Sequence, residues 1–160
     1  MKKQIWMIAL VVGAAALAGQ GWAATSDAIS VTVSLSEAVS VSLDTDAWNI
    51  GAIALGATVA GPTVTATNDG NVAADFSISG TSGAGGWTLA SAAGANAFAV
   101  RAAIGASTVN LSTSPQSLKT NVAPGGTAVF DLTYYAPTSD TYGGGVGQGF
   151  TITVSAAKAP

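Results

Sequence analysis

The sequence of 160 residues contains no histidine and no cysteine, and these two absences exclude several classes of function. Without histidine, neither a Ser-His-Asp triad nor a Cys-His nucleophile pair can be built. Without cysteine there are no disulfides, no thiolate metal ligands and no thiol to carry a lipid, so packing and backbone hydrogen bonds must hold the fold. The glycine-rich run 143–149 lacks the lysine of a phosphate-binding loop. We expect a protein that is not an enzyme and takes no cofactor.

Charged residues are also scarce, at 8% of the chain against about a quarter in typical soluble domains. After residue 23 the only basic residues are Arg101, Lys119 and Lys158, whereas all eight acidic residues remain, which leaves a net charge of −5. Three scattered cations cannot neutralise a nucleic-acid backbone or hold an anionic membrane surface. This excludes nucleic acid as a partner and predicts an exterior of Ser, Thr, Asn, Gly and Ala.

The N-terminus has the three parts of an export signal. Lys2 and Lys3 are basic, residues 5–18 are apolar, and Gly21-Trp22-Ala23 places small residues where signal peptidase cleaves. The apolar run is shorter than the ~20 residues of a transmembrane helix. We therefore predict a cleaved signal peptide over 1–23 and an exported chain over 24–160, secreted, periplasmic or on the cell surface. An uncleaved membrane anchor is the alternative.

The remainder alternates apolar and polar residues with a period of two, the pattern of strands with one buried face. Glycine, proline and asparagine clusters at 68–71, 83–86 and 124–126 are typical of the turns between them. No sustained helical period is present. We predict one all-β domain over 24–160, an immunoglobulin-like antiparallel β-sandwich of seven to nine strands. The alternating segments are 29–35, 39–43, 72–79, 98–104, 130–134 and 150–154.

Three segments resemble the turn and strand motifs of a known domain family. Residues 48–56 read WNIGAIALG, residues 65–71 read TATNDGN, and residues 123–137 read APGGTAVFDLTYYAP. These motifs resemble those of secreted immunoglobulin-like repeats of the Hydin type, over roughly 40–156. The resemblance implies a scaffolding or interaction module without an active site. The chain departs from the family by standing alone and by placing Trp48-Asn49-Ile50 where a phenylalanine is expected.

The apolar face of the first alternating segment consists of Ile29, Val31, Val33 and Leu35. Residues 28–43 would reach about 50 Å if extended, far beyond a usual strand of about 5–6 residues. One interpretation is a strand that breaks near Ser36-Glu37-Ala38 and switches sheets within its own sandwich. The other is an assembly strand, in which residues 29–35 add to the open edge of the next subunit.

Aromatic residues divide into expected core and expected surface. Trp48 and Trp87 are expected in the core or at its rim. Tyr135 is expected to point outward and Tyr142 to begin the glycine-rich loop, so these two form a candidate ligand platform for a sugar ring. Packing is the competing interpretation. All four phenylalanines are expected to face inward, namely Phe76, Phe98, Phe130 and Phe150.

The close carboxylate pair Asp44-Thr45-Asp46 is the remaining motif with possible chemistry. It could contribute to a Ca²⁺ site, but no EF-hand or nonapeptide spacing follows, so a solvated turn is favoured and no metal site is predicted.

These observations favour an exported, non-enzymatic structural protein that self-assembles as a fibre or surface-layer subunit through its N-terminal strand. Its partners would be copies of itself, with no nucleic acid and no membrane after cleavage of the signal. The alternative is a secreted binding module that recognises a glycan or a surface protein through exposed aromatic residues and loops.

Overall fold

The structure is a computed structural model that describes residues 27–142 and 147–160. The chain divides into two compact units, Met1–Leu35 and Ser36–Pro160. The predicted signal peptide lies outside the described residues, as do residues 143–146 of the glycine-rich loop. Among the described residues, none forms a helix with the length and hydropathy needed to cross a membrane.

The described part of the second unit contains nine strands in two sheets, which confirms the predicted all-β sandwich of seven to nine strands. The wider sheet has six strands in the order β1-β2-β8-β5-β4, with β6 also paired to β5. The narrower sheet has three, in the order β7-β3-β9. The strands are β1 (Val41–Leu43), β2 (Thr58–Asn68), β3 (Ala74–Gly80), β4 (Thr88–Leu89), β5 (Ala97–Ile104), β6 (Ser107–Asn110), β7 (Gln116–Val122), β8 (Thr127–Tyr135) and β9 (Ile152–Lys158).

Alternation in sequence produces the core between the sheets. On β3, Ala74, Phe76 and Ile78 are buried while the residues between them are half-exposed. On β8, Phe130 and Tyr134 are buried and Asp131 faces solvent. Because successive side chains of a strand point to opposite faces, each sheet presents one apolar face to the other. The predicted phenylalanines lie in this core, with Phe150 only partly buried against it.

Four strands, β2, β4, β6 and β7, are absent from the prediction, and the two longest of them, β2 and β7, are irregular. In β2 the pairing with β8 shifts between Ala60 and Thr63, around Gly61-Pro62. In β7 the pairing with β3 shifts twice, and Asn121 has a φ of 53°. A bulge changes which residues face inward, so the period of two is lost over such a segment. The pairs are antiparallel except β4 with β5, which is parallel.

A buried asparagine joins the turns at one end of the sandwich. The side-chain nitrogen of Asn68 donates to the carbonyl oxygens of Val72 at 2.9 Å and Val122 at 2.8 Å. Its side-chain oxygen accepts from the N–H of Gly70 at 2.9 Å. A buried polar group is stable only when such partners are present. Asn68 therefore ties the β2–β3 turn to the end of β7.

Phe130→Ala should lower the free energy of unfolding by about 3–5 kcal/mol, because it removes a ring that is 2% exposed and leaves a cavity. The neighbouring Val129 is 49% exposed and provides the control. We expect Val129→Ala to change the free energy by less than about 0.5 kcal/mol. Denaturant unfolding of both variants checks this, and equal losses would contradict the assigned facing of β8.

Candidate functional site

An apolar groove of about 1100 Å³ opens along one side of the sandwich. It lies where β2 and β8 of the wider sheet face β9 of the narrower one, and the loop between β1 and β2 also lines it. Its apolar lining is Leu43, Trp48, Ile50, Ile53, Leu55, Pro62, Val64, Trp87, Phe130, Leu132, Tyr134, Phe150, Ile152 and Val154. A concave apolar surface with a few polar groups at its rim is the default candidate for a binding site.

A cluster of aromatic rings lies beneath the groove. Tyr134 stacks on Phe98 and Phe150, with ring centroids 5.6 Å and 5.9 Å apart, and Trp48 meets Tyr134 edge-on at 6.5 Å. Stacked and edge-to-face rings are the favoured geometries of aromatic pairs. Phe98 and Tyr134 are buried, so the half-buried rings of Trp48 and Phe150 are the part of the cluster that the groove exposes.

Trp48 lies against the bulge of β2, and Gly61 makes this possible. A Cβ atom at Gly61 would lie 2.7 Å from Cζ2 of Trp48, which is closer than van der Waals contact allows. The tryptophan remains half-buried in this position. The sequence WNIG that departs from the family resemblance therefore places its indole ring at the groove.

Inward-facing residues of β9 are less completely covered than those of the other strands in its sheet. Ile152, Val154 and Ala156 are half-buried. On the opposite edge strand, β7, Leu118 and Val122 are buried. Both are edge strands of the same sheet, so edge position alone does not explain the difference. The sandwich is open beside Ile152 and Val154 of β9, which line the groove.

Polar groups lie at the rim of the groove near Trp87. A carboxylate oxygen of Asp140 accepts from the indole N–H of Trp87 at 3.2 Å and from the backbone N–H of Tyr142 at 2.9 Å. The Gln148 side chain accepts from the backbone N–H of Trp87 at 3.2 Å. These bonds fix one end of the groove.

The predicted assembly strand forms no strand, since the first strand in the described chain begins at Val41. Its four apolar side chains are exposed instead: Ile29 is 91%, Val31 76%, Val33 77% and Leu35 90% exposed. A strand needs a neighbouring strand to pair its backbone groups and a surface to cover its apolar face. The apolar face of this segment is exposed. Both interpretations of this segment stay predictions.

The chain that follows this segment is firmly held. The Asn71 side chain accepts from the N–H of Ala38 at 2.7 Å and donates to the carbonyl of Ser36 at 2.7 Å. The ammonium of Lys158 pairs with Glu37 at 2.6 Å, although both side chains are about half-exposed. An exposed pair contributes little stability by itself. The backbone N–H of Asn71 also donates to the carbonyl of Ala38 at 3.0 Å. These three hydrogen bonds of Asn71 therefore carry most of the anchoring at 36–38.

Asp44 closes the short β1–β2 pairing. The Thr65 backbone N–H donates to its carboxylate at 2.8 Å, and this bond, with one from the Thr45 hydroxyl at 3.2 Å, lowers the pKa of Asp44. Asp46 lines the groove. Over 27–142 and 147–160, no three acidic side chains come together in a way that could hold a metal ion.

The two tyrosines of the predicted ligand platform have different surroundings. Tyr135 is half-buried on β8, where the guanidinium carbon of Arg101 lies 4.6 Å from its ring centroid and Nη1 donates to its hydroxyl at 3.3 Å. Tyr142 is 53% exposed and its ring lies against Gly86. No hydrogen bond or ring contact joins the two tyrosines among the described residues. Only Tyr142 neighbours the groove, through Asp140.

Two of the turns that carry the resemblance to Hydin-type domains are found in the fold. Residues 69–73 separate β2 from β3, and residues 123–126 separate β7 from β8. A scan of protein-family models and searches of curated proteins and of solved structures find nothing that matches this chain. Membership of that family and its immunoglobulin-like topology therefore stay predictions.

Alkaline titration should report the burial of Tyr134 in the groove. Burial raises the pKa of Tyr134 from 10.0 to about 12, because an apolar setting disfavours the phenolate. The unfolded chain releases this proton near pH 10, whereas the folded chain retains it to about pH 12. The stability contribution is complete below pH 10 and is lost as the pH rises towards 12.

We expect this alkaline loss, measured by denaturant unfolding at successive pH values, to be smaller in Tyr134→Phe. That variant keeps the ring and removes the ionisable hydroxyl. An identical pH dependence in both proteins would show that Tyr134 is not desolvated in the folded chain.

Proposed function

We propose that this protein is an exported, non-enzymatic structural subunit that assembles into a fibre or surface layer by donating residues 29–35 to a neighbouring copy. One observation carries the proposal: the same chain has an exposed segment with an apolar face and an apolar groove that nothing in the described chain fills. In strand addition between subunits, one subunit supplies an extended segment and the other supplies a sheet with an open edge.

The segment and β9 agree in length, and the segment and the groove agree in polarity. Seven extended residues span about 23 Å at ~3.3 Å per residue, and β9 beside the groove is also seven residues long. Residues 28–36 carry no charge. Ile29, Val31, Val33 and Leu35 would all enter the groove from one face, leaving only hydroxyl side chains outside.

The free energies of burying and ordering residues 29–35 indicate that their backbone must also pair with the neighbouring subunit. Burying four such side chains contributes roughly 6–12 kcal/mol, at about 1.5–3 kcal/mol each. Ordering seven residues costs roughly 7–14 kcal/mol, at about 1–2 kcal/mol each. Burial alone therefore does not exceed the cost of ordering. The donated segment has to form ladder hydrogen bonds as well, so it enters as a strand.

Export and a structural role are consistent with the remaining features. The basic and apolar N-terminus supports secretion, and the scarcity of charge suits a subunit that packs against copies of itself. The resemblance to Hydin-type repeats favours a scaffolding module. No catalytic constellation is proposed.

Substitutions in the segment test the proposal without touching the sandwich. We expect Val31→Asp with Val33→Asp to abolish filaments, because charges would enter the apolar groove. Thr32→Asp lies on the opposite face and should leave assembly within about twofold of the parent. Light-scattering mass and negative-stain microscopy of the exported chain measure assembly, and thermal unfolding shows that the sandwich is intact.

A parent protein that stays monomeric at every concentration would overturn the proposal. Equal loss of assembly in Thr32→Asp would also contradict it, since the two faces of a donated strand cannot be equivalent.

The second candidate function is a binding module for a glycan, and the Trp87–Asp140–Tyr142 contacts at the groove rim favour it. An exposed ring can stack on a sugar, and a fixed carboxylate beside it can accept hydrogen bonds from the sugar hydroxyl groups. We expect Tyr142→Ala to reduce glycan affinity at least tenfold if this function holds, measured by tryptophan fluorescence after a glycan-array screen. Tyr135→Ala, on a different surface, is the matched control, and the absence of any array signal would exclude this candidate.

A further inference from the structure

Two strand edges border the groove, and they are not equally available. The edge of β2 pairs with β1 at Ala66, Thr67 and Asn68, and its remaining length is interrupted by the bulge between Ala60 and Thr63. Pro62 within that bulge has no N–H to offer. Bulges and prolines are devices that protect sheet edges from added strands. The β2 edge is therefore a poor acceptor.

The edge of β9 is regular over its whole length. Its pairing with β3 runs without a register shift from Ala74–Lys158 to Gly80–Ile152. The N–H of Ala159 donates to Ala73, and the N–H of Thr81 donates to Thr151. Odd-numbered residues of β9 therefore direct their backbone groups at β3, and in an antiparallel ladder the even-numbered residues direct theirs away.

The unpaired backbone groups and the incompletely covered side chains therefore belong to the same residues of β9. Ile152, Val154 and Ala156 direct N–H and C=O groups to the free edge, and their side chains are half-buried. Those of Ile152 and Val154 line the groove. Among the described residues, no strand other than β3 pairs with β9. One added strand would satisfy these backbone groups and cover these side chains together.

We propose that residues 29–35 of a second copy add to the free edge of β9 as a fourth strand of the narrower sheet. This inference rests on the proposed assembly function and identifies its acceptor. Ile29, Val31, Val33 and Leu35 fill the groove. Ser30, Thr32 and Ser34 lie on the outer face beside Thr153 and Ser155 of β9, which are also exposed hydroxyl residues. The added strand continues the polarity of the sheet on both faces.

Cysteine cross-linking distinguishes the two edges, because the natural chain has no cysteine and each introduced pair is unambiguous. Thr32→Cys is combined in turn with Thr153→Cys, Ser155→Cys or Ala157→Cys on β9, a set that allows for the unknown register. The matched controls combine it with Ala60→Cys or Thr63→Cys on the exposed outer face of β2. Full-length exported chains are assembled under reducing conditions and then oxidised.

We expect a ladder of covalent oligomers on a non-reducing gel for at least one β9 pair and for neither β2 pair. A ladder from the β2 pairs, a cross-linked single chain, or filaments without any ladder would each overturn β9 as the acceptor. Filaments in those cases would leave the assembly function intact. Absence of filaments from the parent chain would instead refute the assembly function itself.

Complementation provides a second measurement. Ala156→Pro removes an N–H from the free edge of β9 and none from the β3 ladder, so this chain should donate but not accept. The Val31→Asp, Val33→Asp chain should accept but not donate. Each alone should remain monomeric, and their mixture should stop at a one-to-one dimer by light scattering. Filaments of Ala156→Pro at the parent level would overturn the proposal.

Discussion

The structure depends on packing a sheet of six strands against a sheet of only three, without any covalent cross-link. All cohesion comes from apolar contacts between the inner faces and from the backbone ladders. On the β7 side the two sheets cover each other, and Leu118 and Val122 are buried. On the β9 side the narrow sheet ends too early, so the core rings Phe130 and Tyr134 reach the groove. The unequal widths are the physical origin of the candidate site.

The loop between β1 and β2 covers this opening only in part. Trp48 reaches the bulge of β2 because Gly61 leaves room for the indole, yet the tryptophan stays half-buried. A loop contributes side chains to such a gap but cannot pair the edge of a strand, since it lacks regularly spaced backbone groups. A seven-residue strand supplies both, and the chain carries one at 29–35. In this proposal the subunit is an incomplete sandwich that its neighbour completes.

Hydrogen bonds of short polar side chains determine where the free segment begins. Asn71 holds the backbone at Ser36 and Ala38, and buried Asn68 stabilises the turn from which Asn71 projects. Asp44 then secures the start of β1–β2 pairing through the N–H of Thr65. These hydrogen bonds hold the chain from Ser36 onward, next to the exposed segment.

The sequence by itself determined the fold class, the positions of several strands and the donor half of the strand-donation hypothesis. Period-two patterns locate β3, β5, β8 and β9 because each has one buried face, and the absence of histidine and cysteine removes whole classes of chemistry. Only the tertiary structure decided that 29–35 is exposed, that β2 bulges at Gly61-Pro62, and that Tyr135 pairs with Arg101 instead of joining Tyr142. The groove was beyond sequence reasoning, because it depends on how many strands each sheet gathers. That number is set by long-range pairing, which no local pattern encodes.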